Sequence, residues 1–380
     1  EYDGRVLTPL DEAELVKVAH DMKRRGLTQA ALVGVFAPVN PAAELRAAEI
    51  LRQEHPEVQL SLSHRLGGIG LLERENAAIL NAALMPEAAR VTAALEQAMQ
   101  RLGLQVPLFI SQNDGTLMAP REIGQYPVLT FASGPTNSMR GAAFLSGLPD
   151  ALVVDIGGTT SDVGVLAKGF PRQAGMAVRL AGVRTNFRMP DLLAIGLGGG
   201  SLVREQADGT VTIGPDSVGY RLTEEALVFG GSTLTTTDIA VAAGMADIGD
   251  RARVAHLSAS LVARSLLRMR TMLEAAIDRV KTSADPVPVV LVGGGVILVG
   301  DVLAGASQVI RPEQAGCANA IGASIAQVSG EFDSILIYSE SQRAKALDDA
   351  RAAAVERAVA AGAARSSVSI YSVDEVPMAY

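Results

Sequence analysis

Residues 155–164 read DIGGTTSDVG, and this stretch decides how the rest of the chain is interpreted. It follows an apolar run at 151–154 and leads into a second one at 163–167. Paired glycines between two runs of strand-forming residues mark the point at which a hairpin reverses. The pattern therefore predicts a strand, a tight turn and a second strand.

The predicted turn has the residue types of a phosphate site. Gly157 and Gly158 carry no Cβ, so their backbone amides can approach an anion closely. Thr159 and Thr160 add hydroxyl groups and further amides. An ordinary tight turn is the alternative, because Gly, Thr, Ser and Asp are common turn residues. The coincidence of strands, paired glycines and hydroxyls favours phosphate binding.

Two carboxylates bracket the turn. Asp155 ends the first predicted strand and Asp162 begins the second. Their oxygens suit a hydrated Mg²⁺ or Mn²⁺ beside a phosphate, so the stretch predicts a nucleotide site with a divalent cation. The sequence has no GxxxxGK[ST] motif. The P-loop and the dinucleotide fingerprint both open a helix, whereas the residues after Gly158 favour a strand.

Composition narrows the class of protein. The chain has 380 residues, of which 48% are hydrophobic, a length that predicts about two domains with large cores. A net charge of −8 without a long basic run argues against nucleic acid or an anionic membrane as partner. No apolar run has the length of a membrane span. One cysteine indicates a reducing compartment, and we expect the cytoplasm.

The residues before the hairpin alternate between helix and strand. Periodicity predicts helices at 11–25 and 41–53 and strands at 30–36 and 58–62. Such alternation is typical of a mostly parallel sheet. The Ala-rich stretch that begins at residue 72 predicts a helix, which Pro86 interrupts before a second helix.

Polar and glycine-rich segments follow the hairpin. GLGGGS at 196–201 contains two candidate cofactor-binding residues, Gly198 and Gly199, and is either a compact turn or the wall of a backbone-lined crevice. Asp191 precedes this cluster and could ligate a metal. The polar segments GPDS at 214–217 and TTTD at 235–238 favour solvated turns.

The last part of the chain predicts an apolar strand among long helices. The strand at 287–292 ends in Gly293, Gly294 and Gly295, which leave room for a flat ring such as adenine. Helices are predicted at 253–281, 313–327 and 339–363.

The sequence lacks the residue patterns of several classes of catalytic site. The four histidines show no HxH, HExxH or HxxxH spacing, so a zinc hydrolase site is hard to build. No GxSxG nucleophile motif occurs. Cys317 falls in a predicted helix of small residues, which favours a buried, inert thiol.

The motifs in combination resemble a known family. DIGGTTSDVG (155–164), SGP (133–135), GLGGGS (196–201) and VLVGGG (290–295) are similar to those of the hydantoinase/oxoprolinase A-type family, within the actin and sugar kinase superfamily. The resemblance implies an α/β fold with actin-like (ribonuclease H-like) lobes around a central nucleotide cleft. It also implies ATP and a divalent cation, Mg²⁺ or Mn²⁺, as cofactors.

The same resemblance implies an activity and residue roles. The family phosphorylates the carbonyl oxygen of a cyclic amide such as a hydantoin, 5-oxoproline or a lactam, which activates the ring for opening by water. The 157–160 turn would bind phosphate, and residues 293–295 would face the adenosine. Asp155 and Asp162 would hold the metal, and Asp162 is alternatively the residue that orients the attacking water.

The resemblance leaves other functions open. A carboxylase subunit of the same family and a non-catalytic, nucleotide-gated actin-like scaffold are the alternatives. A B-type hydantoinase subunit or further copies of the chain are the expected protein partners.

The family's earlier phosphate loop is absent, so we expect an N- and C-terminally truncated segment. Residues 1–150 would be the remainder of the N-terminal lobe with connecting helices. Residues 151–380 would be the second ATPase lobe.

Overall fold

A computed structural model describes residues 5–68, 70–174, 178–336 and 338–375. Its helices are α1 (Glu12–Arg24), α2 (Ala42–Glu54), α3 (Leu71–Arg101), α4 (Pro120–Ile123), α5 (Ser133–Ser146), α6 (Leu222–Glu225), α7 (Thr236–Ala242), α8 (Ala259–Val280), α9 (Ala318–Ile325) and α10 (Arg343–Ala360). Its strands are β1 (Gln29–Leu32), β2 (Gln59–Leu62), β3 (Ile110–Ser111), β4 (Leu117–Met118), β5 (Ala151–Ile156), β6 (Ser161–Ala167), β7 (Phe170–Pro171), β8 (Val178–Leu180), β9 (Val183–Thr185), β10 (Leu192–Ile195), β11 (Ser201–Glu205), β12 (Val211–Ser217), β13 (Val287–Val292) and β14 (Ala306–Ile310).

The chain forms two compact units. The first contains the described residues of 1–131, 174–189 and 327–380, and the second contains those of 132–173 and 190–326. This grouping differs from a division after residue 150, because α5 packs on the sheet of the second unit and shares its apolar cluster. The expected assignment of two ATPase lobes stays a prediction.

The first unit is built around the parallel pair of β1 and β2, in which Gln29 lies opposite Gln59. Ala19 of α1 and Leu51 of α2 pack in the same apolar cluster as Leu60 of β2. The predicted helices at 11–25 and 41–53 and the parallel pairing are confirmed. β1 is shorter than the predicted strand at 30–36, because the chain turns after Leu32.

Helix α3 contradicts the predicted break at Pro86. It runs without interruption from Leu71 to Arg101, with Pro86 inside it. A proline removes one backbone N–H from the helical ladder, and the Ala-rich turns on both sides favour helix strongly enough to continue. The six residues that α3 buries all precede the proline: Arg74, Ala77, Ala78, Asn81, Ala82 and Met85.

The second unit contains a mixed six-stranded sheet. Its strands lie in the order β10, β6, β5, β13 and β14, with β7 paired to β6. β5 is antiparallel to β6 and parallel to β13. The predicted strand, turn and strand at 151–167 is therefore confirmed, as is the strand at 287–292.

Both faces of this sheet are covered by helices. Along β5, Leu152, Val154 and Ile156 share one apolar cluster with residues of α8, while Ala151 and Val153 share another with residues of α5. This alternation follows from the two-residue period of a strand. Because both faces are buried, β5 is apolar almost throughout. Asp155 interrupts this run, on the same face as Ala151 and Val153.

Two further local predictions are wrong. Cys317 is exposed at the end of a short 3-10 turn, just before α9 begins. Gly214 to Ser217, a polar stretch that suggests a loop, belongs to β12, which pairs with β11. Among the described residues, no helix combines the length and apolar character needed to cross a membrane.

Candidate functional site

The turn between β5 and β6 presents unused donors at the surface. The amide of Gly157 donates to the carbonyl of Thr160 at 2.9 Å and closes the turn. Gly158, Thr159 and Thr160 are exposed. Within the described part of the chain, the amides of these three residues and the two threonine hydroxyls donate no hydrogen bond. The turn therefore offers a cluster of donors suited to a phosphate.

Asp155 and Asp162 are brought together by the register of the hairpin. They lie directly opposite each other in the β5–β6 pair. Side chains in such a position share one face of the sheet, with Cβ atoms about 4.5–5.5 Å apart. The structure therefore places both carboxylates beside the base of the exposed turn, as the sequence predicts.

Burial destabilises the charged form of both carboxylates. Burial raises the pKa of Asp162 to about 6, and the neighbouring charge of Asp155 contributes in the same direction. Burial also raises the pKa of Asp155, against a hydrogen bond with Ser138 of α5 that lowers it. A cation between the two side chains would relieve this repulsion.

The donor set fits a hard, hydrated cation. Both candidate ligands are carboxylates, the type of ligand that Mg²⁺ and Mn²⁺ prefer, and Mg²⁺ usually keeps several waters and binds phosphate oxygens. Within residues 5–68, 70–174, 178–336 and 338–375, no group of three or more His, Cys, Asp or Glu side chains forms a closed metal site. Asp155 and Asp162 could thus hold a cation only together with water or ligand oxygens.

Asp191 lies elsewhere on the sheet. The residue opposite Asp162 on β10 is Ala194, so Asp191 is three residues further along, roughly 10 Å away by the rise of a strand. Its carboxylate accepts hydrogen bonds from Arg172 at 2.5 and 3.1 Å. The register of β10 therefore keeps Asp191 away from the other two carboxylates, and Asp191 has its own cationic partner in Arg172.

The GLGGGS cluster supports the turn through backbone hydrogen bonds. The amide of Gly199 donates to Gly157 at 3.0 Å, and that of Gly200 donates to Gly158 at 2.7 Å. A Cβ on Gly198 would lie 2.5 Å from the amide nitrogen of Thr159. The amide of Gly198 itself donates to Ser201. Since Gly198 and Gly199 are buried and their amides are occupied, the geometry gives them a supporting role, and their direct contact with a cofactor stays a prediction.

The start of α7 holds this glycine loop in turn. The hydroxyl of Thr236 donates to the carbonyls of Gly198 and Gly199, and the hydroxyl and amide of Thr237 donate to Gly199 at 2.8 and 3.1 Å. Both threonines are buried, as is Asp238. The predicted solvated turn at 235–238 is therefore wrong.

A sequence signal for this segment existed. Thr235 and Asp238 form a capping box at the start of α7, in which the carboxylate of Asp238 accepts from the amide and hydroxyl of Thr235. A threonine followed three residues later by an acidic residue, ahead of the apolar run that begins at Ile239, is the signature of such a helix start.

The glycines after β13 lie against the same hairpin. Gly293 has a φ of +89°, and a Cβ there would collide with the carboxylate of Asp155 and the carbonyl of Ile156. Gly295 is equally close to Ile156. Gly294, in contrast, is exposed with nothing within 4 Å of its Cβ position. The structure thus brings Gly293 beside Asp155 and Gly295 beside Ile156, and it leaves an open, side-chain-free surface at Gly294.

Three histidines contact other groups of the protein. His20 contacts Glu54 at the surface, and His55 is buried against the carbonyl of Leu27. His64 contacts the buried carboxylate of Glu44 at 2.6 Å.

Family models recognise two parts of the chain. The hydantoinase/oxoprolinase model matches residues 74–247, and the model of the hydantoinase/oxoprolinase N-terminal region matches residues 1–55.

Curated relatives are similar over much of the chain. The acetophenone carboxylase gamma subunit of Aromatoleum aromaticum is 27% identical over 252 residues, which cover 63% of this chain and 34% of the relative. The caprolactamase subunit alpha of Pseudomonas jessenii is 26% identical over 246 residues, covering 64% and 35%. The chain spans about a third of the length of these relatives.

Solved structures share the fold. The ATP-dependent caprolactamase from Pseudomonas jessenii superimposes with a TM-score of 0.74 at 21% identity, covering 95% of this chain and 58% of that one. A nucleotide-free acetone carboxylase gives a TM-score of 0.62 at 19% identity, covering 95% and 56%. The predicted α/β fold class is confirmed.

Proposed function

The chain belongs to the hydantoinase/oxoprolinase family, and we propose that it binds ATP with a divalent cation and activates a cyclic amide for hydrolysis. The observation that carries this proposal is the cross-strand pair of Asp155 and Asp162 at the base of a turn with unused backbone donors. Donors for a phosphate and acceptors for a cation lie within one hairpin, as phosphoryl transfer requires.

The proposed reaction has three steps. The carbonyl oxygen of the cyclic amide attacks the γ-phosphorus of ATP, the bond to ADP breaks, and a phosphorylated imidate forms. Water then adds to the activated carbon and the carbon–nitrogen bond of the ring breaks, with a proton passing to the nitrogen, which leaves an amine and an acyl phosphate. A second water hydrolyses the acyl phosphate to a carboxylate and inorganic phosphate. Phosphorylation of the oxygen removes the amide resonance that makes the ring stable, which is why the first step lowers the barrier of the second.

Each part of the site has a task in this scheme. The amides of Gly158, Thr159 and Thr160 would hold terminal phosphate oxygens and stabilise the charge that develops on transfer. Asp155 and Asp162 would hold the cation through its water shell, and the cation neutralises phosphate charge when bound. Asp162 is alternatively placed to orient the attacking water.

The side-chain-free surface at Gly294 would accept the adenine. The residue is exposed, and nothing lies within 4 Å of its Cβ position, so a flat ring can approach the backbone there. Gly293 and Gly295 have a different task, because they leave room for Asp155 and Ile156.

A second candidate function is a carboxylase subunit, which the similarity to the acetophenone carboxylase gamma subunit favours. The same activation of an oxygen by ATP would then serve carbon–carbon bond formation with bicarbonate. Both similar proteins are described as subunits, so we also propose a B-type partner subunit. A nucleotide-gated scaffold without chemistry is the remaining alternative.

The test is ADP release by the full-length protein, alone and with a B-type subunit. We expect release that depends on a hydantoin or lactam and does not require bicarbonate. Dependence on a ketone and bicarbonate would favour the carboxylase. If ADP release did not depend on any of these compounds, or if no ADP were released at all, both enzyme proposals would be excluded.

A matched pair of variants tests the carboxylates. We expect Asp162→Asn to weaken Mn²⁺ binding, measured by electron paramagnetic resonance in the presence of ADP, by at least tenfold. Asp191→Asn, which removes a carboxylate directly before strand β10 of the same sheet, should leave Mn²⁺ binding unchanged, because Asp191 pairs with Arg172. Equal losses in both variants would contradict the assignment of the cation to the hairpin.

A further inference from the structure

The second half of helix α3 has no partner within the described chain that buries it. None of the residues from Pro86 to Arg101 is buried, whereas the first half of the helix buries six side chains. These sixteen residues correspond to roughly 24 Å of helix. The ion pair of Arg90 with Glu87 and the bond from Arg101 to the carbonyl of Gln97 are internal to the helix.

This exposed helix carries an apolar seam. Small or apolar residues recur at alternating spacings of four and three along one face: Leu84, Ala88, Val91, Leu95, Ala98 and Leu102. Of these, Val91 is 47% exposed, Leu95 40% and Leu102 74%. Such spacing is the heptad pattern with which one helix packs along another. A seam of this kind left in water predicts a partner helix.

The charges beside the seam identify the partner. Glu87 and Arg101 occupy equivalent positions, each one residue before a seam position, at opposite ends of the exposed segment. In an antiparallel pair of two copies, Glu87 of each copy would face Arg101 of the other. In a parallel pair, the residue facing Glu87 would be the uncharged Thr92. The charges therefore favour the antiparallel arrangement.

The seam itself is self-complementary in the same register. With the two-fold axis between Val91 and Leu95, Val91 of one copy meets Leu95 of the other. Ala88 then meets Ala98, and Leu84 meets Leu102. Each large side chain meets a large one and each alanine meets an alanine, as an isologous two-fold interface requires.

We infer that the exposed half of α3 is a docking surface for a second copy of this chain, paired antiparallel through the seam from Leu84 to Leu102. The interface is short and has alanine at two of its six seam positions, so the dimer dissociates on dilution. This inference does not depend on the proposed enzymatic function.

The first test is sedimentation velocity of the full chain over a concentration series. The expected result is a monomer that converts to a dimer as concentration rises. Val91→Glu and Leu95→Glu should each leave a monomer throughout the series. The control is Leu72→Glu on the opposite face of the same helix, where Leu72 is 67% exposed. It should dimerise like the wild type.

The second test addresses orientation and the identity of the partner. Glu87→Arg and Arg101→Glu should each weaken dimerisation by about tenfold, because each replaces two attractive contacts with two repulsive ones. The double variant should recover most of the wild-type affinity.

Three results would overturn the inference. These are a monomer at every concentration of wild type, a dimer that survives Val91→Glu, and a double charge variant that is not restored. A monomeric wild type would mean that the seam binds a helix other than the one in a second copy. A dimer that survives the substitution would mean that the interface lies on another surface. A failed restoration would exclude the antiparallel register.

Discussion

Replacing Gly198 with alanine should disturb the exposed turn, although the amide of Gly198 itself donates to Ser201 and not to a ligand. The new Cβ would lie 2.5 Å from the amide nitrogen of Thr159, 2.6 Å from the carbonyl carbon of Gly158 and 2.7 Å from that of Thr159. All three atoms belong to the backbone, so no side chain can rotate away. Ordinary contacts of a Cβ begin at about 3.4 Å. The turn or the glycine loop must therefore move by about 1 Å.

The size of the effect follows from this displacement. Overpacking of this kind costs typically about 1–3 kcal/mol, and the gain of about 0.4–1 kcal/mol from a less flexible unfolded chain offsets part of it. We expect a net loss of about 1–2 kcal/mol in the free energy of unfolding. Hydrogen bonds to a charged ligand contribute about 1.5–3 kcal/mol each. Losing one of the turn's donors should weaken nucleotide binding by roughly tenfold to a hundredfold.

Two measurements check these values. Titration with a fluorescent ATP analogue reports nucleotide affinity, and urea denaturation reports the free energy of unfolding. Gly300→Ala is the control, because Gly300 is exposed with nothing within 4 Å of its Cβ position. It should match the wild type in nucleotide affinity and be more stable by about 0.4–1 kcal/mol at most.

Either of two outcomes would refute the reasoning. If Gly198→Ala bound nucleotide as tightly as the wild type, the turn would not be the phosphate site or would not depend on the glycine loop. If Gly198→Ala and Gly300→Ala lost the same affinity and the same stability, the effect would not come from contact with the turn.

Three further predictions concern buried polar side chains. The pKa of Asp162, about 6, lies above its unfolded value, so the folded protein binds an extra proton between about pH 4 and 6, and stability falls as pH rises through that window. Asp162→Asn should therefore be about 2–3 kcal/mol more stable than wild type at pH 7.5 and equal to it near pH 4, measured by urea denaturation. Thr237→Val removes the hydroxyl donor to Gly199 within a buried site and should cost about 1–3 kcal/mol of stability with a several-fold loss of nucleotide affinity, whereas Thr237→Ser should restore both. Glu44→Gln, which weakens a buried carboxylate that accepts from Ser63 and His64, should lower the free energy of unfolding by about 3 kcal/mol without changing nucleotide affinity, as followed by denaturation and ATP titration.

The hairpin was predictable because its signals are local. An apolar run, two glycines and a second apolar run specify both strands and the turn, and the structure has β5 and β6 at those positions. Asp155 and Asp162 are symmetric about the turn in sequence, so antiparallel pairing alone places them opposite each other. No long-range information was needed for this part of the site.

Other features depend on contacts that the sequence does not display. The burial of Thr236 and Thr237 depends on carbonyl groups of a loop almost forty residues earlier in the chain. The pairing of Asp191 with Arg172 depends on the path of the chain before β10. The continuity of α3 through Pro86 depends on the balance between one lost hydrogen bond and the helical preference of its neighbours.

The glycines around this turn do not all have the same task, and the sequence alone does not show which task each one has. A turn that binds a ligand through its own amides cannot be held in place by those amides, so its carbonyl groups must provide the support. The carbonyls of Gly157 and Gly158 accept from the loop at 199–200, and the loop's own carbonyl at Gly199 accepts from Thr237. Such contacts bring one backbone segment close against another and leave no room for a Cβ. Glycine is therefore needed even at positions that do not contact the ligand. Glycines that contact a nucleotide and glycines that support the contact therefore look alike in sequence, and only the direction of their amides distinguishes them.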